Sequence, residues 1–117
     1  MRSWRGTADL YKPLKAWLTR IPKPCGIFAV NDEMGAHVLR AENELGVAIP
    51  DALSVLCSDN DELICDNCTP PLASVFVAFE HSGWLAARLL DKQMHNSSAL
   101  PETFVFGSST VVPRPAC

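Results

Sequence analysis

The sequence predicts an α/β fold, a three-layer arrangement in which a mainly parallel sheet is flanked by helices. Three observations lead to this prediction. The apolar periodicity switches repeatedly between helix-like and strand-like along the chain, and the predicted strands are short continuous apolar runs. Such runs are typical of strands covered on both faces. Finally, 117 residues with 48% hydrophobic content suffice for one core, which predicts a single domain.

The first helix and the first strand follow from the start of the sequence. Pro13 either opens this helix or kinks it. The next segment, CGIFAV from Cys25 to Val30, is an apolar run between Pro24 and Asn31, as expected of a strand covered on both faces. The apolar stripe of the first helix has three- and four-residue spacing and consists of Leu10, Leu14, Trp17, Leu18 and Ile21.

A second helix and a second strand come next. Asn31 or Asp32 can cap the start of this helix, and Gly46 is placed to end it. A turn over residues 46–51 then leads to a buried strand from Leu53 to Cys57. The apolar face of the second helix consists of Met34, Val38, Ala41 and Leu45.

The second half of the chain predicts a further strand, a helix and a closing strand pair. Ser58 to Pro71 is the longest irregular segment, and Leu72 to Val77 is the third strand. One or two closing strands are expected around Gly107, formed by Phe104, Val105, Val111 and Val112. The third helix has one apolar face, made of Phe79, Gly83, Ala86, Ala87, Leu90 and Met94.

Polar residues follow the first two strands, where an open parallel sheet binds ligands. The first strand ends in Asn31-Asp32-Glu33, and the second in Asp59-Asn60-Asp61-Glu62. If these strands are neighbours, the polar residues converge on one edge of the sheet. Their carboxylate and amide groups match the mixed donor and acceptor demand of sugar hydroxyls.

Other interpretations of these polar residues stay open. Asn31 and Asp32 are equally well explained as helix caps, and the acidic run after Asp59 as a solvated loop. A calcium loop would need a glycine and a distal glutamate that this run lacks. Asp59 and Asp61 are a conceivable acid–base pair for a glycoside, but nothing in their spacing favours that over hydrogen bonding to an unreacted sugar.

The cysteines and histidines predict no metal site and no cofactor. The five cysteines are an odd number, which favours a reducing compartment over a disulfide framework. Cys65 and Cys68 form a C-x-x-C pair, but a closed zinc site needs four ligands and no second pair exists. The three histidines lie within predicted helices without a nucleophile or a metal partner nearby: His37, His81 and His95.

The overall charge and the missing motifs exclude several classes of function. With a net charge of -3 and a pI near 5.5, the chain lacks the cationic field that draws proteins to DNA. No apolar run approaches the roughly twenty residues of a membrane span, so no membrane partner is expected. No phosphate loop, dinucleotide fingerprint or nucleophile elbow occurs, and we therefore expect no enzymatic activity.

One long string carries a family resemblance. From Lys23 to Val75 the chain reads KPCGIFAVNDEMGAHVLRAENELGVAIPDALSVLCSDNDELICDNCTPPLASV. This string resembles the sensor domains of the lactose/galactose-repressor family, and within it looks most like xylose-operon regulators. A helix resembling G-x-x-A-A-x-L-L-D from Gly83 to Asp91, and a closing V-V-x-R from Val111 to Arg114, extend the resemblance over nearly the whole chain.

The resemblance implies a periplasmic-binding-protein-like sensor of two α/β subdomains with a sugar, here most plausibly xylose, held between them. It implies that Asn31 and Asp59 contact the sugar and that Asp32, Asn60 and Glu62 support them. Two positions depart from the family pattern and leave the identity of the sugar open. Cys57 stands where the family usually has glycine, and Ser58 stands where it often has an apolar residue.

The resemblance also predicts how the chain fits into a larger protein. Residues 1–117 would be the carboxy-terminal subdomain of a cytoplasmic transcription regulator that contacts DNA only through a domain absent from this chain. We expect a homodimer, and we expect the chain alone to bind sugar weakly, since half a cleft supplies half of the hydrogen bonds. The alternative is a free-standing or transport-associated sugar-binding domain.

Overall fold

The computed structural model describes residues 8–95, 102–105, 107 and 110–117. Within these residues helices and strands alternate for most of the chain, as the periodicity predicts. In chain order the elements are α1 (Ala8–Arg20), β1 (Cys25–Phe28), α2 (Asp32–Leu45), β2 (Leu53–Asp59), α3 (Glu62–Cys65), β3 (Ala73–Phe76), α4 (Phe79–His95) and β4 (Thr110–Val112).

The four strands form one sheet in the order β1-β2-β3-β4. β1 and β3 each pair with β2 in parallel, with Cys25 opposite Leu53 and Leu56 opposite Ala73. β4 pairs with β3 antiparallel, with Val75 opposite Val111. The prediction of an α/β fold with a mainly parallel sheet and flanking helices is confirmed.

Both ends of α2 are fixed by the residues that the sequence predicts. Asn31 is the N-cap, and its Oδ1 accepts a hydrogen bond from the Met34 backbone N–H at 2.9 Å. Gly46 ends the helix in the left-handed conformation at φ 71°, and its N–H donates to the Asn43 carbonyl. The chain therefore enters α2 directly from the end of β1.

The core lies between α2 and the sheet. Gly35 allows the close approach, because a Cβ atom at this position would lie 2.0 Å from the Cys57 Sγ. Cys57, which departs from the family pattern, thus fills the space that Gly35 leaves. The fully buried large apolar side chains around this contact include Leu18, Leu39, Leu53, Val55 and Leu72.

The structure decides between the two roles of Pro13 and corrects one prediction about the first strand. Pro13 lies inside α1, which excludes its opening that helix and leaves the kink as the alternative. β1 is not covered on both faces: its residues alternate between half-buried and exposed, and Phe28 is 64% exposed. β1 lies at the edge of the sheet, and α2 packs on the neighbouring strand β2.

The later elements also differ in their bounds from the predicted ones. β2 continues through Asp59, two residues beyond Cys57, and the irregular segment that follows contains the short helix α3. Phe104 and Val105 lie outside any strand, so the closing strand is limited to Thr110–Val112. Positions 106, 108 and 109 of the predicted closing segment lie outside the described residues.

Helix α4 has the predicted position but no buried side chain. Leu90 is 58% exposed and Met94 75% exposed, although both belong to its predicted apolar face. The radius of gyration is 18.6 Å, whereas a compact chain of this length would have about 13 Å. Of the helices in the described part of the chain, none has the length and apolarity to cross a membrane.

The last described residues run back beside β2. The Val55 N–H donates to the Ala116 carbonyl at 2.8 Å, and the Ala116 N–H donates to the Pro71 carbonyl at 3.0 Å. Ala116 is fully buried. This segment therefore lies beside the first half of β2, whereas β3 pairs with the second half of that strand.

Candidate functional site

A polar cavity of about 470 Å³ opens at the carboxyl ends of β1 and β2. It forms there because the two strands are parallel neighbours, so the residues that follow them meet at one edge of the sheet. The lining residues are Asn31, Asp32, Glu33, Asp59, Asn60, Asp61, Ile64 and Phe79.

Asn31 lies half-buried at the junction of β1 and α2. Its Oδ1 is engaged as the helix cap by the Met34 N–H. The amide nitrogen Nδ2 makes no hydrogen bond within the described residues. Asn31 therefore caps the helix, as one of the two sequence interpretations predicts, and it also lines the cavity.

Asp32 is hydrogen-bonded to two other parts of the site and is only 2% exposed. Its Oδ2 accepts a hydrogen bond from the Asp61 backbone N–H at 2.6 Å, and its Oδ1 accepts one from the Ser74 hydroxyl at 2.5 Å. The Ser74 Oγ in turn accepts the Asn60 N–H at 3.0 Å. Both carboxylate oxygens of Asp32 are thus used to join α2, the loop after β2, and β3.

The backbone after β2 turns sharply through two residues with positive φ. Asp59 has φ 112° and Asn60 has φ 57°, both in the left-handed region that favours glycine. Asp59 is the last residue of β2, and its carboxylate accepts no hydrogen bond within the described part of the chain. A half-buried carboxylate at the cavity wall is therefore available to a ligand.

The rest of the acidic run serves the loop itself. Asn60 Oδ1 accepts a hydrogen bond from Arg114 Nη1 at 3.0 Å. Asp61 is the N-cap of α3, and its Oδ1 accepts the Leu63 N–H. Glu62 begins α3, is exposed, and does not line the cavity.

Of the five predicted site residues, the structure brings four to one cavity and leaves Glu62 outside. Four other residues line the cavity: Glu33 and Asp61 belong to the two polar strings that the sequence analysis named, whereas Ile64 and Phe79 were missed. Periodicity assigned Phe79 to the apolar face of a helix, yet it is 59% exposed beside the polar groups. Its position just after a third parallel strand is the signal that points to the same sheet edge.

Buried thiols lie behind Asp32. Burial, with the Asp32 carboxylate as the next cause, raises the pKa of Cys57 to about 12 and that of Cys65 to about 11. Both thiols are therefore neutral near pH 7, and all five cysteines are free. No group of three or more His, Cys, Asp or Glu side chains within the described ranges is arranged to hold a metal ion.

The charge of the cavity disfavours an anionic ligand and suits one that donates hydrogen bonds. Four of the lining side chains are carboxylates, and no described lining residue is basic. An anionic ligand would be repelled by this set, whereas hydroxyl groups can donate to it. The Phe79 ring adds an apolar surface beside the carboxylates, a combination suited to a sugar, which has both hydroxyls and C–H faces.

Comparisons with known proteins agree with this geometry. A family model described as a periplasmic binding protein-like domain matches residues 1–117. The HTH-type transcriptional regulator GalR of Lacticaseibacillus casei is 31% identical over 104 residues, covering 87% of this chain and 31% of that protein. The xylose operon regulatory protein of Haemophilus influenzae is 37% identical over 82 residues, covering 70% of this chain and 21% of that protein.

A solved structure of a xylose-binding transcription activator superposes with a TM-score of 0.81 at 26% identity, covering 97% of this chain and 30% of that chain. The chain thus spans about a third or less of the length of these relatives.

Proposed function

We propose that this chain, which belongs to the periplasmic binding protein-like domain family, is the carboxy-terminal part of the sugar-sensing domain of a transcription regulator. The observation that carries the proposal is the cavity at the carboxyl ends of β1 and β2, where the Asp59 carboxylate lacks a hydrogen-bond donor among the described residues. A sugar bound there would close the cleft between two subdomains and shift the population of the regulator between two states.

The hydrogen-bonding roles of the sugar contacts follow from the groups that remain available. Asp59 accepts hydrogen bonds from sugar hydroxyls, and the Asn31 amide nitrogen donates to a hydroxyl oxygen. Asp32 and Asn60 act indirectly, because their polar atoms already hold the loop. Phe79 covers an apolar face of the sugar ring. We place Glu62 at the rim, where it supports the start of α3 rather than the sugar.

We propose a pentose, with xylose as the first candidate. The names of two relatives support this choice, one a xylose operon regulatory protein and one a xylose-binding activator. Other regulators of similar sequence carry names that refer to another sugar, such as lactose, or to none. The choice of xylose therefore rests on the comparisons, whereas the cavity itself supports a ligand that donates hydrogen bonds and is not an anion.

The remaining properties of the protein are proposed from the same relatives. DNA is bound through a domain elsewhere in the full-length protein, because this chain has a net charge of -3. The regulator works in the cytoplasm, where its DNA lies, and it binds sugar without transforming it. It acts as a homodimer, which the exposed edge strand β1 and the uncovered apolar face of α4 support.

The test is a calorimetric titration of the full-length gene product with D-xylose, D-ribose, D-galactose and cellobiose. Hydrogen bonds to a charged group contribute about 1.5 to 3 kcal/mol each. Asp59→Ala should therefore raise the Kd of the preferred sugar at least about tenfold. The matched control is Asp51→Ala, because Asp51 is exposed in the turn before β2 and far from the cavity lining.

Two results would contradict the proposal. Unchanged affinity of Asp59→Ala would remove this residue from the site, and no binding of any of the four sugars by the wild type would remove the sensor function. Product analysis after incubation should recover the sugars intact, since we propose no catalysis. Light scattering of the full-length protein should give the mass of a dimer, and a monomer at all concentrations would refute that part.

A further inference from the structure

The turn that presents Asp59 has a conformation that does not persist without support. Two consecutive non-glycine residues, Asp59 at φ 112° and Asn60 at φ 57°, occupy the left-handed region. Non-glycine residues keep such φ angles only where several contacts with the surrounding structure hold them. The groups that contact this turn therefore decide whether the Asp59 carboxylate faces the cavity.

Backbone contacts hold the turn from the side of the sheet. The Asn60 N–H donates to Ser74 Oγ, and the Asp61 N–H donates to Asp32 Oδ2. Neither contact constrains the Asn60 side chain, which belongs to the residue with the left-handed backbone. That side chain is held from the opposite direction by Arg114, whose Nη1 donates to Asn60 Oδ1 at 3.0 Å.

The Arg114 guanidinium joins both ends of the loop between β2 and β3. Its Nε donates to Asp66 Oδ1 at 2.7 Å, and its Nη1 also donates to the Leu72 carbonyl at 3.2 Å. The Arg114 side chain is 11% exposed, whereas its partner Asp66 is 58% exposed. Water therefore screens the charge of the pair only from one side, and the planar guanidinium is held in one orientation.

The backbone of Arg114 is itself fixed in place. Pro113 and Pro115 flank it and restrict their own φ angles. Ala116 follows, is fully buried, and is hydrogen-bonded to Val55 and Pro71. The guanidinium thus reaches the turn from a rigid segment rather than from a free end of the chain.

We infer that Arg114 is a positioning residue of the sugar site, which holds Asn60 in the left-handed conformation and so directs Asp59 into the cavity. The inference rests on the proposed function of Asp59. Arg114 does not line the cavity, so it acts through Asn60 and not through contact with the sugar. Lysine cannot replace it fully, because a single ammonium group lacks the planar fork that reaches several acceptors in fixed directions.

The first test is sugar affinity in the full-length gene product. Arg114→Ala should raise the Kd for D-xylose, or for whichever of D-ribose, D-galactose and cellobiose the wild type prefers, at least about tenfold. Arg114→Lys should recover part of this loss. The control is Arg40→Ala on α2, because the Arg40 side chain is 71% exposed, contacts Glu44 and the Tyr11 ring, and does not line the cavity. All titrations are run well below the lowest unfolding temperature of the set.

The outcomes separate this inference from the proposed function. Tight binding by Arg114→Ala together with lost binding by Asp59→Ala would overturn the inference and leave the function in place. A wild type that binds none of the four sugars would overturn both. The Asn60→Gly background gives a further check, because glycine adopts φ 57° freely. There Arg114→Ala should change the Kd less than about twofold, and an undiminished effect would mean that Arg114 acts elsewhere.

Hydrogen exchange of the sugar-free protein tests the same point without a ligand. In Arg114→Ala the Asn60 and Asp61 amides should exchange at least about tenfold faster, while amides paired between β1 and β2 keep their rates. A uniform acceleration of all these amides would show that Arg114 only stabilises the whole fold. That result would overturn the positioning role even if the sugar affinity also fell.

Discussion

Helices α2 and α4 come from the same kind of sequence pattern but differ completely in burial. α2 has six buried residues, and α4, although three residues longer, has none. Apolar periodicity therefore identifies a helix and its apolar face, but it carries no information about what covers that face. Within the described residues the cover exists for α2, where β2 and α1 pack against it, and is missing for α4.

The candidate site lies between these two contrasting regions. Asn31 and Asp32 start α2 and are fixed by caps and buried hydrogen bonds. Phe79 starts α4, and its backbone N–H donates to the Val77 carbonyl at 2.9 Å. One wall of the cavity is thus anchored in the core, while the other belongs to a helix whose apolar face is uncovered. Replacing a glycine by alanine should therefore have opposite consequences in the two helices.

The largest effect is expected from Gly35→Ala in α2. The new methyl group would lie 2.0 Å from Cys57 Sγ, so the helix or the strand must move. Overpacking of this kind costs about 3 kcal/mol and alanine returns about 1 kcal/mol in helix propensity, so we expect a net loss of about 2 kcal/mol. This loss is measured as the decrease in the free energy of unfolding of the 117-residue chain, obtained by urea denaturation.

The Gly35→Ala/Cys57→Ala double variant tests the cause. Removing the Cys57 sulfur removes the shortest contact, so the double variant should be more stable than Gly35→Ala alone. Purely additive losses would show that the two positions do not meet in solution. Gly26→Ala in β1 is the control, since a Cβ atom there meets nothing within 4 Å.

A smaller effect of opposite sign is expected from Glu42→Leu, also in α2. Glu42 is fully buried, and neither carboxylate oxygen has a hydrogen-bond partner among the described residues. Burial raises its pKa, with the charge of Lys23 acting in the opposite direction. Leucine fills a similar volume without a polar group, and we expect a gain of about 1 kcal/mol at pH 7.

The pH dependence of this gain identifies its origin. Because the folded-state pKa of Glu42 is raised, its contribution to stability is fully present below the unfolded pKa near 4.5 and is lost as the pH rises through the folded value. The advantage of Glu42→Leu should therefore grow from pH 4 to pH 7. If the difference in free energy of unfolding between Glu42→Leu and the wild type does not change with pH, Glu42 is not the titrating group.

Glu44, two residues further on, gives the matched contrast on the exposed side of α2. A hydrogen bond from Lys15 is the main cause that lowers the Glu44 pKa to about 2. Its contribution is therefore present above the unfolded pKa of 4.5 and is lost as the pH falls toward 2. Glu44→Gln should be less stable than the wild type near pH 7, and this deficit should shrink on acidification, whereas at Glu42 it is an advantage of the variant that shrinks.

The smallest effect is expected from Gly83→Ala in α4. A Cβ atom at Gly83 meets nothing within 4 Å, so alanine adds helix propensity without a clash. We expect the 117-residue chain to gain about 0.5 kcal/mol, read as a higher urea midpoint. A loss in this chain would show that α4 is covered in solution, for instance by a second copy, and would remove the contrast with α2.

Most of the fold was accessible from the sequence because its determinants are local. The Asn31 cap, the Gly46 end of α2 and the apolar runs of β2 and β3 each act over a few residues. The failures have a common physical cause, since they depend on which element packs on which. The open face of β1 and the uncovered face of α4 could not be read from local periodicity.

The site was predicted in the same uneven way. Its place at the carboxyl ends of the first two strands followed from the topology, and four of the five predicted residues line the cavity. Which of these residues hold the loop and which remain available to a ligand could not be predicted, because that depends on contacts between residues far apart in the sequence. Asp32 is hydrogen-bonded to Ser74, 42 residues away, and Asn60 to Arg114, 54 residues away.

The position of residues 113–117 beside β2 has a consequence for folding during biosynthesis. Ala116 is hydrogen-bonded to Val55 and Pro71, and Arg114 is hydrogen-bonded to Asn60 in the loop after β2. During translation β1, α2 and β2 leave the ribosome well before these partners do, and domains tend to fold from the amino-terminal side. The first strands can pair early, but the loop between β2 and β3 acquires its final shape only after residue 116 has emerged. The cavity wall that this loop forms is thus completed later than the strands that carry it.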